Sequence, residues 1–341
     1  MRLRRTKPAP YKAKRGDLYP RDARDALGVD EHQPFTSPEI RKAIVITVLS
    51  EEAFRDPGSV NGRELHVVTE TARLMGCRIV PLPPQDFVSG SPDDALTYLP
   101  SFDPPIAGVW VGYIPPLDWY SGIYNAAEAK GVQLVNSPAQ HQLAMEFDRA
   151  FPLLGDLTPE SRAASSVDEC LAAGRQLGFP LFVRGAIKSN KERGWSACVA
   201  QDETELGAIA STLLEREQRS RGKVIVRRLV KLNRIAEDPQ GFPLGREYRV
   251  FVHRQTILAV GFYWEEYEEP GKLTVAEAAA IRRLAIEANR RLGVPFVAID
   301  IAQLENGDWT VIETNEAQFA GLSQVPVLEL WSKIKDIQIA E

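Results

Sequence analysis

The dipeptide Asn306-Gly307 constrains this chain more than any other pair of residues. It separates two β-rich runs, 295–304 and 308–315. Asn-Gly in that setting is the strongest short-range hairpin signal, because both turn residues must tolerate φ > 0. A two-residue turn there sets Glu305 opposite Asp308. Counting back along both strands, Asp300 faces Glu313 with both side chains on one side of the sheet, and Asn315 joins them opposite Ala298.

The two faces of this hairpin then differ in kind. Val297, Ile299, Ile301 and Ile312 make a dry face that needs a helix against it. Ala298, Asp300, Ala302, Glu313 and Asn315 place oxygen-bearing side chains among small ones. Like charges directly across a strand pair repel, so Asp opposite Glu means either a solvated surface or a bound cation. The apolar reverse side and the small neighbours favour the cation. Two carboxylates and an amide suit Mg²⁺ or Mn²⁺ rather than zinc. The inference depends on the turn, since a one-residue slip carries Asp300 to the other face.

With 341 residues the chain has room for two or three lobes. No apolar run reaches the roughly 18–20 residues of a membrane span, and the basic N-terminus lacks the apolar core of a secretory signal. Cys77, Cys170 and Cys198 are odd in number and far apart, which points to a reducing compartment, read as the cytoplasm, and away from a disulfide framework. The four histidines are scattered, and a net charge of −5 gives no whole-chain reason to expect nucleic acid. Residues 1–15 differ, with seven basic side chains and no acidic one. Residues 1–35 read as a solvated arm; contact with RNA or an acidic partner is the alternative.

Residues 42–136 alternate strand and helix: strands at 43–49, 78–82, 108–114 and 132–135, helices at 60–75 and 118–130. That rhythm predicts a small parallel sheet. No GxGxxG follows its first strand, so the dinucleotide fingerprint is absent. Trp110, Tyr113, Trp119 and Tyr120 read as packing residues first and cleft residues second. A helix over 139–154 follows, capped by Ser137 with Pro138 at its first position, then a linker over 155–165. An S-x-x-E box at 166–169 opens a helix ending at Gly178. Beyond it come a strand at 179–184, a basic loop at 185–194 with Lys188, Lys191 and Arg193, a returning strand at 195–200, a helix at 202–218, a strand at 223–230 and a polar connection to 245. The strand 247–253 pairs with 255–264. A T-x-x-E box at 274–277 opens a helix closed by Gly293, the natural cover for the dry face of the hairpin.

This succession resembles the ATP-grasp superfamily. The resemblance is most specific over VAIDIAQLENGDWTVIETNEAQ, residues 297–318, which is similar to that family's metal-bearing strands. It implies an α/β (α+β) ATP-grasp fold: a small N-terminal βαβ parallel-sheet lobe, then two α+β lobes clasping a nucleotide. The division is arm 1–35, α/β domain 36–136, connecting helix and linker 137–165, small lobe 166–232 and large lobe with the metal site 233–341. The resemblance carries the metal ligands onto Asp300, Glu313 and Asn315. The first ATP-contacting basic residue, usually lysine, falls on Arg184, an exchange some clades of the superfamily make. The second falls on Lys188, with Lys191 as the alternative. Arg228, Leu229 and Val230 form the hinge whose backbone meets the adenine. Arg249 is aimed at the triphosphate or acyl phosphate, unless it pairs with Glu266 or Glu269. Catalytic roles then fall to Arg249 and Lys188. The phosphate flap, 189–197, departs from the family in holding a single glycine, Gly194.

The implied activity is an ATP- and Mg²⁺-dependent ligase that activates a small-molecule or peptide carboxylate as an acyl phosphate for attack by an amine or thiol. A small-molecule kinase on the same fold and a non-catalytic nucleotide- or RNA-binding protein are the alternatives. The acceptor pocket is expected between the first lobe and the metal hairpin, near Tyr113, Trp119 and Trp264. The sequence leaves the substrate and the oligomeric state open.

Overall fold

The computed structural model of the protein describes residues 46–338; the basic arm over 1–35 and the beginning of the first strand lie outside them. The strand–helix alternation expected next is β1 (Thr47–Ser50), α1 (Val60–Leu74), β2 (Arg78–Pro81), a one-turn α2 (Pro92–Ala95), β3 (Ile106–Val111), α3 (Leu117–Ala129) and β4 (Val132–Leu134). The strands pair in parallel in the order β2-β1-β3-β4. Both faces are covered, as continuous apolar strands require. Val48, Val109 and Val111 pack on Leu65 and Ala72 of α1, whereas Leu49 and Trp110 pack on Trp119, Tyr120 and Ile123 of α3. Chain order reverses between β1 and β3, and at such a point the carboxyl ends of the strands open a crevice.

The single helix expected over 139–154 is two, α4 (Pro138–Met145) and α5 (Phe147–Leu154). Ser137 caps the first as expected, accepting from the Gln140 N–H. The break falls at Glu146, which is extended, because the Phe147 N–H donates to the Ala186 carbonyl at 2.9 Å instead of to a helical one.

A second, antiparallel sheet follows: β5 (Ser161–Ala164), α6 (Val167–Leu177), β6 (Leu181–Gly185), β7 (Val199–Ala200), α7 (Glu203–Leu214), α8 (Glu217–Ser220) and β8 (Val224–Arg228), in the strand order β5-β8-β6-β7. The stretch read as linker thus holds an edge strand. The returning strand is only two residues long, since Trp195–Ala197 takes a 3-10 turn. Leu181, Val183, Val224 and Val226 share a core with α6 and α7. Strand alternation therefore sends Phe182, Arg184, Ile225 and Arg227 to the other face.

The stretch read as polar connection contains a small hairpin, β9 (Arg234–Glu237) and β10 (Pro243–Gly245). The third sheet is β11 (Glu247–His253), β12 (Thr256–Phe262), β13 (Phe296–Gln303) and β14 (Trp309–Glu316), antiparallel in the order β12-β11-β13-β14. Helix α9 (Val275–Leu292) opens with the expected Thr274–Glu277 capping box and closes at Gly293, φ +65. It lays Ile281, Ala285, Ala288 and Leu292 against Val297, Ile299, Ile301 and Val311. Val275 is exposed and outside that contact. A last helix, α10 (Val327–Ile334), packs Leu330, Trp331 and Ile334 into the core beneath α1. All three sheets lie in one compact unit.

Candidate active site

Asp300 pairs with Glu313 and Ala298 with Asn315, as the Asn-Gly argument expects, but by a different route. The loop has three residues, Glu305, Asn306 and Gly307, with Gly307 at φ +90. It is closed by the Leu304 N–H donating to the Asp308 carbonyl at 2.8 Å and the Gly307 N–H to the Leu304 carbonyl at 2.9 Å. Ile301 consequently pairs with Val311, one step out of the two-residue count. A bulge at Ile312, two residues on β14 against one on β13, then restores the register at Asp300. The expectation is corrected in two places: the turn type, and Ile312, which is the bulge residue and leaves the dry face to Val311.

Across the large sheet, Gly261, Arg249, Asp300 and Glu313 stand in one row. Arg249 grips Asp300 with two parallel bonds, Nε to Oδ1 and Nη2 to Oδ2, both 2.8 Å, and its Nη1 donates to the Gly321 carbonyl at 2.6 Å. Asp300, not Glu266 or Glu269, is its partner. Asn315 Nδ2 lies 3.3 Å from Asp300 Oδ2, which leaves the amide oxygen free. From the small sheet Arg184, only 2% exposed, reaches across. Its Nη2 donates to Glu313 Oε1 at 2.6 Å and to the Ile187 carbonyl at 2.9 Å, its Nε to the Gly185 carbonyl at 3.0 Å.

The two loop lysines part company. Lys188 is exposed and lines a large cleft, while Lys191 turns in, its Nζ 5.5 Å from the Trp264 ring centre and 5.7 Å from those of Phe242 and Tyr263. Of the two, Lys191 is the one whose charge acts on Glu313. The Gly185 N–H bonds to the Lys188 carbonyl at 3.1 Å, a tight turn that leaves residue 188 outside, and the 3-10 turn Lys191–Arg193 brings the chain back. The Arg228 side chain is also outside the cluster, exposed and paired with Glu160 at 2.9 Å. Leu229 and Val230 are half-buried, and Leu229 packs with Val199, Phe242 and Leu244.

Three residues near the row escaped the sequence reading. Glu247 precedes Arg249 by two on β11 and so shares its face; that spacing was the available signal. Tyr263 follows β12, with its ring 5.0 Å from the Arg249 guanidinium carbon. Arg227 lies beside Arg184, the two guanidiniums 4.5 and 5.2 Å from the Phe147 ring centre. Arg227 Nη1 donates to the Ile312 carbonyl at 2.8 Å, and its Nη2 has no hydrogen-bond partner among the described residues.

The charges interlock. Burial works to raise the Glu313 carboxyl, but Arg184, with Lys191 and Arg249, brings it below the ordinary range. Burial opposes the charge on Lys191 as well, yet Glu247, Tyr263 and Glu313 hold its ammonium above the usual value. Arg249 is raised against its burial chiefly by Asp300. Burial pushes Arg227 down to about 9, and Arg184 adds to the shift. Glu247 is pushed up to about 7 by burial, with Asp300 and Glu313 adding and Lys191 opposing. Among the described residues no three His, Cys, Asp or Glu side chains gather into a metal cluster. The hairpin offers two carboxylates and an amide.

A cleft of about 1380 Å³ is lined by Tyr113, Lys188, Phe251 and the chain from Ala317 to Leu322; it approaches the row through Gly321, whose carbonyl accepts from Arg249, and none of the row's own side chains lines it. Trp119 faces a smaller pocket of about 490 Å³ with Glu51 and Arg55, and Trp264 lies by Lys191, donating from Nε1 to the Gly245 carbonyl at 2.8 Å. Of the three aromatic residues expected at the acceptor pocket, only Tyr113 lines the large cleft.

Residues 173–334 match a family described as ATP-grasp domain, R2K clade family 3. They form an ATP-grasp domain. Solved ATP-grasp proteins share the fold over most of the chain. A RimK domain ATP-grasp protein from Sphaerobacter thermophilus aligns at TM-score 0.54 and 16% identity, over 87% of this chain and 100% of its own. A D-alanine–D-alanine ligase from Bacillus anthracis complexed with ATP aligns at TM-score 0.55 and 14% identity, over 82% and 87%. The Multifunctional protein URA2 of Saccharomyces cerevisiae is 35% identical over 83 residues, 23% of this chain; the chain spans only 4% of that protein. No helix among the described residues is long and apolar enough to cross a membrane.

Proposed function

We propose that this ATP-grasp protein is an ATP- and Mg²⁺-dependent ligase that activates a carboxylate as an acyl phosphate for attack by an amine or thiol. The observation that carries the reading is the row Arg249–Asp300–Glu313–Arg184, with Lys191 beside it. Three cations surround two carboxylates. Phosphoryl transfer asks little covalent chemistry of a protein; it needs positioning and neutralisation of charge spread over oxygens.

Asp300, Glu313 and Asn315 would hold Mg²⁺ or Mn²⁺. The all-oxygen donor set fits, because Mg²⁺ is usually bound by one or two carboxylates and completes its shell from water and phosphate. When bound, the ion would supply neutralisation of the negative charge on phosphate oxygens. Arg184 and Lys191 would bind the phosphates. Leu229 and Val230, against the apolar wall of Phe242 and Leu244, would receive the adenine. Arg249 would hold the transferred group and Lys188 the acyl end, from the mouth of the cleft. In the reaction a substrate carboxylate oxygen attacks the γ-phosphorus, the bond to the β-phosphate oxygen breaks and ADP leaves. The amine or thiol then attacks the acyl carbon, loses its proton, and inorganic phosphate departs. No side-chain nucleophile is required. The three cysteines are free and buried, with thiols pushed up by burial to about 11.

Incubation with ATP, Mg²⁺, hydroxylamine and a panel of amino acids, short peptides and small acids tests the reaction class. A ligase releases ADP and yields a hydroxamate with one member of the panel. A stable phosphorylated product without hydroxamate replaces the ligase by a kinase.

A further inference from the structure

Strand alternation sends Glu313 and Asn315 to the site and Thr314 and Glu316 to the reverse face of β14. On its own face Asn315 has one long contact, Nδ2 to Asp300 Oδ2 at 3.3 Å, so its direction is set by what holds the strand from behind. There Thr314 Oγ1 donates to the Ala144 carbonyl of α4 at 3.3 Å. Glu316 is fully buried. Its Oε1 accepts from Asn136 Nδ2 and, at 3.0 Å, from Gln318 Nε2. Asn136 follows β4 of the parallel sheet and is fixed through both atoms of its amide, Nδ2 donating to the Phe296 carbonyl at 2.7 Å and Oδ1 accepting from the Phe296 N–H at 3.0 Å. Gln318 is held by the same first lobe: its Oε1 accepts from the Trp110 N–H at 2.7 Å and its Nε2 donates to Tyr120 Oη at 3.1 Å.

A carboxylate in this place costs stability. Among the described residues no lysine or arginine pairs with Glu316. His141 of α4 is closest, its Nδ1 4.0 Å from Glu316 Oε2, and neither of those atoms has a hydrogen-bond partner among the described residues. Amide donors on one oxygen return only part of the lost hydration of a buried carboxylate, and an apolar side chain of similar length would serve the core better. Nor do the two donors depend on it, since Asn136 Nδ2 has the Phe296 carbonyl and Gln318 Nε2 has Tyr120. Nothing in the packing requires an acid here; the metal site does. We infer that Glu316 is a positioning residue for that site: tied to the first lobe through Asn136 and Gln318, it fixes the end of β14 so that Asn315 presents its amide oxygen beside Asp300 and Glu313. This rests on the magnesium reading of the hairpin proposed above and adds that the first lobe sets the geometry of the metal strand.

A structural role for Glu316 and a positioning role separate in two variants. Glu316→Met removes the anchor and leaves neither amide without an acceptor; Glu316→Gln keeps an oxygen for both. Thermal unfolding of each ligand-free protein is measured beside calorimetric titration of a non-hydrolysable ATP analogue, with Mg²⁺ and with a chelator. The methionine variant should unfold no lower than the wild type and bind the analogue equally well in chelator. It should lose most of the gain in affinity that Mg²⁺ brings, a loss of about tenfold or more, as when a group that orients a metal ligand is removed. The glutamine variant should keep most of that gain. A methionine variant with the full gain overturns the inference. So does a glutamine variant that loses as much as the methionine one, because the charge and not the anchor would then matter. A methionine variant that melts lower and binds more weakly to the same extent with and without Mg²⁺ shows a structural role and overturns it too. Should Glu316→Met fail to fold, Glu316→Asp takes its place: it withdraws the carboxylate by one carbon and should lose part of the gain, and the full gain there overturns the inference. A wild type in which Mg²⁺ brings no gain removes the magnesium reading of the hairpin instead, and this inference with it.

Discussion

Arg227, on the small sheet, donates from Nη1 to the carbonyl of Ile312, on the large one, at 2.8 Å. Ile312 is the bulge residue that returns β14 to register, so this bond fixes the turn of backbone that delivers Glu313 beside Asp300. Arg184 makes the neighbouring crossing to Glu313 itself. The two sheets are held together at the point where the carboxylates are presented.

Arg227→Met should fill the space over Phe147 and leave the fold intact, but free the bulge. A hydrogen bond from a charged donor contributes about 1.5–3 kcal/mol, so the stabilisation of the protein by an ATP analogue with Mg²⁺ should fall by about that amount. Thermal melts with and without ligand measure it. An undiminished ligand-induced shift would remove Arg227 from the account.

Asp300→Ala leaves Arg249 buried and unpaired. Breaking a buried ion pair from one side costs about 3–5 kcal/mol. Urea unfolding of the ligand-free protein should show a loss of that size, and a smaller loss for Asp300→Asn, which keeps a hydrogen-bond acceptor. Equal, small losses would mean that the Arg249–Asp300 grip contributes little to the fold.

Arg184→Lys keeps the charge but loses the fork that serves Glu313, Ile187 and Gly185 at once. The expected cost is about 1–2 kcal/mol of stability, together with weaker nucleotide binding, read from unfolding and titration of the same variant. A lysine variant as stable and as tight-binding as the wild type would show that the fork is dispensable.

Glu247 gives a pH signature. Its folded carboxyl titrates near 7 against an ordinary 4.5, so between those values the folded state holds a proton that the unfolded chain has released. Through this group stability is present at low pH and lost as pH rises toward 7. Glu247→Gln should therefore gain on the wild type at pH 8, by on the order of 2 kcal/mol, and much less at pH 5. Denaturant unfolding at both values checks the sign.

Much of the site was legible because Asp300, Glu313 and Asn315 are close in sequence and their facing follows from strand alternation alone. The agreement at Asp300 owes something to compensation: the loop is one residue longer than a tight turn, and the Ile312 bulge absorbs the difference. Neither has a mark in the sequence, since the tether that holds the bulge comes from Arg227, 85 residues away. The sequence left Lys188 and Lys191 as alternatives for a similar reason. Both sit in one polar loop, and only the aromatic enclosure by Phe242, Tyr263 and Trp264 separates them. The short strands β5, β9 and β10 were lost because edge pieces of three or four residues show no periodicity to read. Glu247 was readable from its spacing to Arg249.

The most direct test is calorimetric titration of a non-hydrolysable ATP analogue into the wild type and Glu313→Gln, each with Mg²⁺ and with a chelator. The wild type should bind at least tenfold more tightly with Mg²⁺, and Glu313→Gln should lose most of that difference while keeping its fold. A Glu313→Gln protein with the full metal dependence, or a wild type with none, would contradict a magnesium–nucleotide site on this hairpin.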